Sequence, residues 1–143
     1  MPSNYFDTFG IVTVADATVT ITADAHVGQR IVLNRAAGVT ATLPAATGSG
    51  NRYEFIGAVD ASGSQIIQVT GDDTMAGQAF IGADGETFYT AATSDTITLN
   101  ATTTGGYKGW RVIVDDIAAD TWAVVVYSEA SGTESTPFSA AVS

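Results

Sequence analysis

Cysteine is absent from the 143 residues, so neither a disulfide framework nor a thiolate metal site is open to this chain. Its stability has to come from packing, hydrogen bonds and contacts between subunits. Basic residues are scarce: Arg30, Arg35, Arg52, Lys108 and Arg111 stand against fifteen acids, for a formal net charge of −10. Affinity for nucleic acid rests on neutralising phosphates, so no DNA or RNA partner is expected. Histidine occurs once, as His26, and no strand–G-x-S-x-G–helix elbow presents a serine to it. No stretch reaches the roughly eighteen apolar residues of a membrane span. The opening Met1-Pro-Ser-Asn-Tyr-Phe-Asp7 also lacks the basic-then-apolar layout of a secretion signal, and no membrane partner is expected.

What is present is alternation with a period of two, filled by β-branched residues, the pattern of half-buried strands. Val19, Ile21 and Ala23 alternate with Thr18, Thr20 and Thr22. Val39, Ala41 and Leu43 alternate with Thr40 and Thr42, and Ile97, Leu99 and Ala101 with Thr96, Thr98 and Asn100. Threonine suits the outer face because its branched carbon fits the pleat while its hydroxyl stays wet. Further strands are predicted over 9–15, 29–34, 52–59, 65–70, 79–82, 86–90, 110–115 and 122–127. Glycine-rich turns such as Gly48-Ser-Gly50 and Ala83-Asp-Gly85 separate them, and the first of these reads as a hairpin. One helical turn is the most that is expected, near 115–120.

Short strands at regular turn spacing predict a single-domain, all-β, antiparallel β-sandwich of jelly-roll-like form. Its expected divisions are an extended N-terminal arm (1–9), the sandwich (10–130) and a C-terminal extended segment (131–143). Two runs, Arg111-Val-Ile-Val114 and Ala123-Val-Val-Val-Tyr127, are apolar at successive positions, which predicts cover on both faces, from this chain or from another subunit. A faint echo links Thr42-Leu-Pro-Ala-Ala-Thr-Gly48 with Thr98-Leu-Asn-Ala-Thr-Thr-Thr-Gly105, each leading on to an aromatic, Tyr53 or Trp110.

The densest acid groups, Asp72-Asp73, Asp84-Gly-Glu86 and Asp115-Asp116, fall in predicted turns, where acids are ordinary. None has calcium-loop spacing, so no metal, no cofactor and no catalytic residue is assigned, and the chain is read as a non-enzyme. His26, beside Asp24, reads as a surface residue. The aromatics Tyr53, Phe55, Phe80, Phe88, Tyr89, Trp110 and Trp122 would line a sugar-binding face if exposed, but packing accounts for most of them.

Four segments carry a family likeness: Leu43-Pro-Ala-Ala-Thr-Gly-Ser-Gly-Asn-Arg-Tyr-Glu-Phe55, Asp72-Asp-Thr-Met-Ala-Gly-Gln-Ala-Phe80, Ser94-Asp-Thr-Ile-Thr-Leu-Asn-Ala-Thr-Thr-Thr-Gly-Gly106 and Ser131-Gly-Thr-Glu-Ser-Thr-Pro-Phe138. Over about residues 38 to 138 the chain resembles head decoration, or capsid cement, proteins of tailed bacteriophages of the cyanophage and environmental type. Similar hairpins occur in phage fibre and spike modules. The resemblance implies a virion protein on the outer surface of the capsid, a homotrimer that clamps neighbouring major capsid proteins. The alternative is a glycan- or receptor-binding module of a head or tail fibre. On the cement reading, Tyr5, Phe6 and Phe9 are the expected capsid contacts, and Trp122, Val124, Val125, Val126 and Tyr127 the expected trimer interface.

Overall fold

The computed structural model describes residues 10–142. In chain order the elements are β1 (Ile11–Val14), β2 (Thr18–Thr20), α1 (Ala23–His26), β3 (Arg30–Leu33), β4 (Thr40–Thr42), β5 (Arg52–Gly57), β6 (Gln65–Gln68), β7 (Thr74–Gly82), β8 (Glu86–Tyr89), β9 (Thr96–Leu99), β10 (Arg111–Ala118), β11 (Thr121–Glu129) and β12 (Phe138–Ser139). They build a seven-stranded sheet, β1-β3-β5-β10-β11-β7-β8, and a five-stranded sheet, β12-β9-β6-β4-β2. The two pack face to face over one apolar core, so the all-β sandwich expected from the alternation is the architecture found. Ile31, Phe55, Val112, Trp122 and Val126 fill it from the larger sheet and Ala41, Ile67, Ile97 and Leu99 from the smaller.

Strand direction departs from the expectation: both sheets are mixed, not uniformly antiparallel. From β1 to β6 the chain changes sheet at every connection, winding as stacked coils. β1, β3 and β5 therefore pair in parallel, with Val12 beside Ile31 and Ile31 beside Phe55. β2, β4 and β6 do the same through Val19, Ala41 and Ile67. A parallel neighbour requires the chain to travel away and return, and the excursion here is a strand in the other sheet. Gly48-Ser-Gly50 is accordingly an arch between sheets and not a hairpin. The hairpins are β7–β8 and β10–β11, while β11 pairs in parallel with β7. The sequence echo maps onto two equivalent arches: one leads from β4 to β5, the other from β9 to β10, and β5 and β10 are hydrogen-bonded neighbours.

The one helical turn is α1, not 115–120. Thr22 caps it, accepting from the Ala25 N–H at 3.4 Å, and His26 is buried there, its Nδ1 lying 3.0 Å from the Thr22 N–H. The lone histidine is thus a structural cap and not a surface group. Residues 115 and 116 stay in β10 because both carboxylates have partners that hold them in the strand. The C-terminal segment completes the sandwich: β12 pairs with β9, setting Phe138 opposite Ile97, and Phe138 is buried.

Gly77 marks the tightest approach between β7 and β11, since a Cβ built there would run into the Val124 carbonyl oxygen. Backbone cannot swing aside as a side chain can. Gly77→Ala is expected to cost roughly 1–3 kcal/mol, as overpacking does, and to lower the thermal midpoint by about 3–10 °C. A scan in which the variant melts with the parent would show that these strands do not meet so closely.

Candidate interaction surface

Strand alternation sends every second residue of the seven-stranded sheet outward, and no part of the described chain lies over that face as a second layer. Val32, Ile56, Ile113 and Val125 form its half-buried apolar middle. Register sets Ile113 against Val125 and Tyr127 against Phe80. Phe80 and Tyr127 stack with ring centroids 5.5 Å apart and planes 14° from parallel. Both are well exposed, and Tyr89, beside Gln78 on β8, is 71% exposed. Shallow depressions flank Tyr127: one of about 400 Å³ is lined by Phe80, Ile81, Glu86 and Thr87, and one of about 220 Å³ by Tyr107, Lys108, Trp110 and Glu129.

The other half of the face carries charge in pairs. Glu54 lies between two arginines, with Arg111 Nη1 at 2.8 Å from Oε2 and Arg30 Nε at 3.7 Å from Oε1. Arg52 holds Asp115 in a fork, Nε to Oδ1 at 2.7 Å and Nη2 to Oδ2 at 3.0 Å. Three of the five cationic residues of the chain therefore rise from this one face, against Glu54, Asp115 and, at the rim, Glu129. An open groove of about 450 Å³ runs beside them between Gly28 and Gly50. The outer face of the five-stranded sheet is unlike it: Thr18, Thr20, Thr40, Thr42, Gln68 and Thr98 make it a hydroxyl-rich, water-facing surface.

No protein-family model, curated protein or solved structure matches this chain. The reading of the surface therefore rests on its chemistry. Of the residues expected at a trimer interface, Trp122, Val124 and Val126 point into the core, at 0%, 6% and 0% exposure, because they alternate with Ala123, Val125 and Tyr127. Only Val125 and Tyr127 reach the outer face. Of the cover expected on both sides of the double-sided apolar run, the core supplies one, and the described residues leave the other side uncovered. Tyr5, Phe6 and Phe9 lie outside the described residues. Phe80 and Tyr89 stand among the aromatics that the sequence names for a sugar-binding face if exposed, and they are exposed here; Ile56, Ile113 and the arginines were not singled out as surface groups, although their parity with the core residues of β3, β5 and β10 would have placed them there.

The acid groups are used to hold loops. Burial alone would push the Asp116 carboxyl up; the Ser49 hydroxyl (2.6 Å) and the N–H groups of Gly48 (2.7 Å) and Thr47 (3.0 Å) outweigh it and hold it below the ordinary carboxylate range. Asp73 Oδ2 accepts from the Ala46 N–H at 2.7 Å, fixing the other end of the same arch. The Asp84 N–H donates to Glu134 Oε1 at 2.6 Å and lowers that carboxyl too. Among the described residues no three of His, Asp or Glu converge as metal ligands. No helix there is long and apolar enough to cross a membrane.

Proposed function

We propose that this chain is a structural, non-enzymatic virion protein that sits on the outer surface of a tailed-phage capsid as a homotrimer and clamps neighbouring major capsid proteins. The observation that carries the reading is the outer face of the seven-stranded sheet, which the described residues leave uncovered, apolar and aromatic in a chain that is otherwise acidic at its loops. Soluble monomers rarely leave a large contiguous apolar patch to water, so such a face argues for a protein partner. The four segments that resemble cement proteins give the class of assembly. A closed ring offers each weak capsid contact in triplicate, which raises avidity without a large single interface. The acids support a structural role, because Asp73, Asp116 and Glu134 are engaged in fixing backbone.

Co-sedimentation with purified heads of the phage that encodes the protein tests this. Saturable binding to expanded heads is expected, together with a higher temperature of DNA release. Removing residues 1–9 should lower head occupancy several-fold while leaving the far-ultraviolet circular dichroism unchanged. Full occupancy by the truncated chain would take the arm out of the mechanism, and no binding by the intact chain would end the capsid reading. The stacked, exposed Phe80–Tyr127 pair favours a second reading, glycan binding, since a flat aromatic platform fits a sugar ring. Glycan-array binding abolished by Tyr127→Ala, without head binding, would select it.

A further inference from the structure

The nine residues before Gly10 lie outside the described part of the chain, but the point where they join it is fixed. The Gly10 carbonyl accepts from the Arg30 N–H at 2.9 Å, and a Cβ built on Gly10 would lie 2.6 Å from Gln29 Oε1. Both partners belong to the open groove of about 450 Å³ at the starts of β3 and β5. On the β3 side it is lined by Val27, Gly28, Gln29 and Arg30, and on the β5 side by Asn51 and Arg52. We propose that residues 5–9 of the same chain occupy this groove, with the Phe9 ring over Gly28 and Asp7 beside the Arg52 guanidinium. The inference stands on the chain alone and does not rest on the virion reading. A seated arm becomes part of the same outer face that the virion reading turns to the capsid.

Three observations carry it. The first is reach. Two strand spacings, about 10 Å, separate β1 from β5, while the chain back from Gly10 spans up to about 3.5 Å per residue, or about 17 Å at Tyr5. The arm therefore crosses the whole groove, yet it falls short of β11 and β7, so the Phe80–Tyr127 end of the face stays open. The second is the shape and polarity of the groove. Gly28 has no side chain to fill it, Val27 is 37% exposed in its lining, and Ile11, opposite Arg30, is 68% exposed at its mouth. Phe9 lies two residues before Ile11 and shares its parity on the pleat. A cleft of roughly 300–1,000 Å³ holds a drug-sized molecule, so this one has room for several side chains. The third is charge. Asp7 is the one charged side chain among residues 1–9, and most of a chain of net charge −10 repels it. The groove holds Arg30 and Arg52, against a Glu54 that Arg30 and Arg111 already engage. The Arg52 side chain is 65% exposed, and a guanidinium held by a carboxylate, as Arg52 is by Asp115, also attracts a ring face. The tether then selects the occupant: a segment joined this close acts at roughly millimolar effective concentration, which a second copy or a foreign chain does not match.

Amide NMR spectra of the full-length chain test the seating. Phe9→Ser should move the signals of Asn51 and Arg52, two strands away from Gly10, while those of core residues such as Ile97 and Val126 stay in place and show that the fold is kept. Asp7→Lys, which spares the ring and reverses the charge, should move the same two. Tyr89→Ser, at the far edge of the same sheet, should move neither. Unmoved Asn51 and Arg52 signals in either arm variant overturn the proposal, and so does movement caused by Tyr89→Ser. Co-refolding isotope-labelled Phe9→Ser with unlabelled parent shows whose arm is seated. Signals that keep the variant's positions support the chain's own arm; signals that return to the parent's positions mean that a neighbouring copy supplies it, which overturns the assignment to the same chain. Head co-sedimentation separates this from the virion reading. A seated arm in a protein that ignores heads supports the groove contact and refutes the capsid role; head binding with an empty groove does the reverse.

Discussion

Trp122→Ala is expected to lower the thermal midpoint by roughly 10–15 °C, the largest loss from any single side chain in this protein. The indole is fully buried on β11, tilted 59° against the Tyr53 ring with centroids 5.9 Å apart, and its strand neighbours Met75 and Asp116 are buried as well. Truncating a buried Trp removes its transfer free energy and leaves a cavity that a two-layer sandwich collapses only in part, for about 3–5 kcal/mol. That is a large share of the roughly 5–15 kcal/mol by which a domain is stable. Trp122→Phe should recover most of it, because the Trp122 Nε1–H has no hydrogen-bond partner among the described residues, so phenylalanine gives up packing but no polar contact. Both variants should be compared with the parent at one protein concentration, since association shifts the midpoint. An alanine variant melting within about 3 °C of the parent would place the indole outside the core.

The same strand shows how far the sequence could be read. Periodicity reports which residues share a face, and it correctly marked β10 and β11 as runs with apolar residues on both sides. It carries no information on strand direction. The connections from β1 to β6 all have glycine, asparagine or aspartate of the kind found in hairpins, yet each carries the chain to the opposite sheet. The choice between hairpin and arch is made by what the second strand finds to pack against, which is long-range. For the same reason the interface residues were only half legible. Trp122 and Tyr127 belong to one run of sequence, but a pleat puts them on opposite faces, and size or aromaticity does not say which faces inward.

Parity also held a signal about chemistry. Val112, Val114 and Asp116 fall on the same side of β10, so the strand that buries two valines must carry a carboxylate toward the interior. An inward acid on a core strand has to be satisfied, and that requirement, more than the presence of two adjacent aspartates, pointed to a structural role. Its neighbour Asp115 faces out and joins the arginine ladder through Arg52. The Asp115-Asp116 pair is therefore one surface charge and one loop anchor, separated by the thickness of the sheet.

Asp116→Ala is expected to cost about 3 kcal/mol, because it leaves the Thr47 and Gly48 N–H groups, both aimed at the lost carboxylate, without their charged acceptor. The arch from β4 to β5 should then loosen around Thr47 and Gly48 while staying tied to β10 at its far end, where the main-chain bonds from Gly50 N–H to Asp116 O and from Asp116 N–H to Asn51 O remain (both 2.9 Å). Asp116→Asn should cost less: its Oδ1 can still take both backbone donors, while its amide faces the Ser49 hydroxyl, which can turn to accept. The two variants also differ from the parent in pH dependence. The folded carboxyl lies below its unfolded value of about 3.9, so its stabilisation is complete above that pH and is lost as pH falls through the folded value. Below about pH 4 the parent should therefore lose stability more steeply than Asp116→Asn, with the two curves converging in acid. Urea unfolding from pH 2 to 7 reads this directly, and parallel curves would mean that the loop donors do not discriminate the charged carboxylate from the neutral acid.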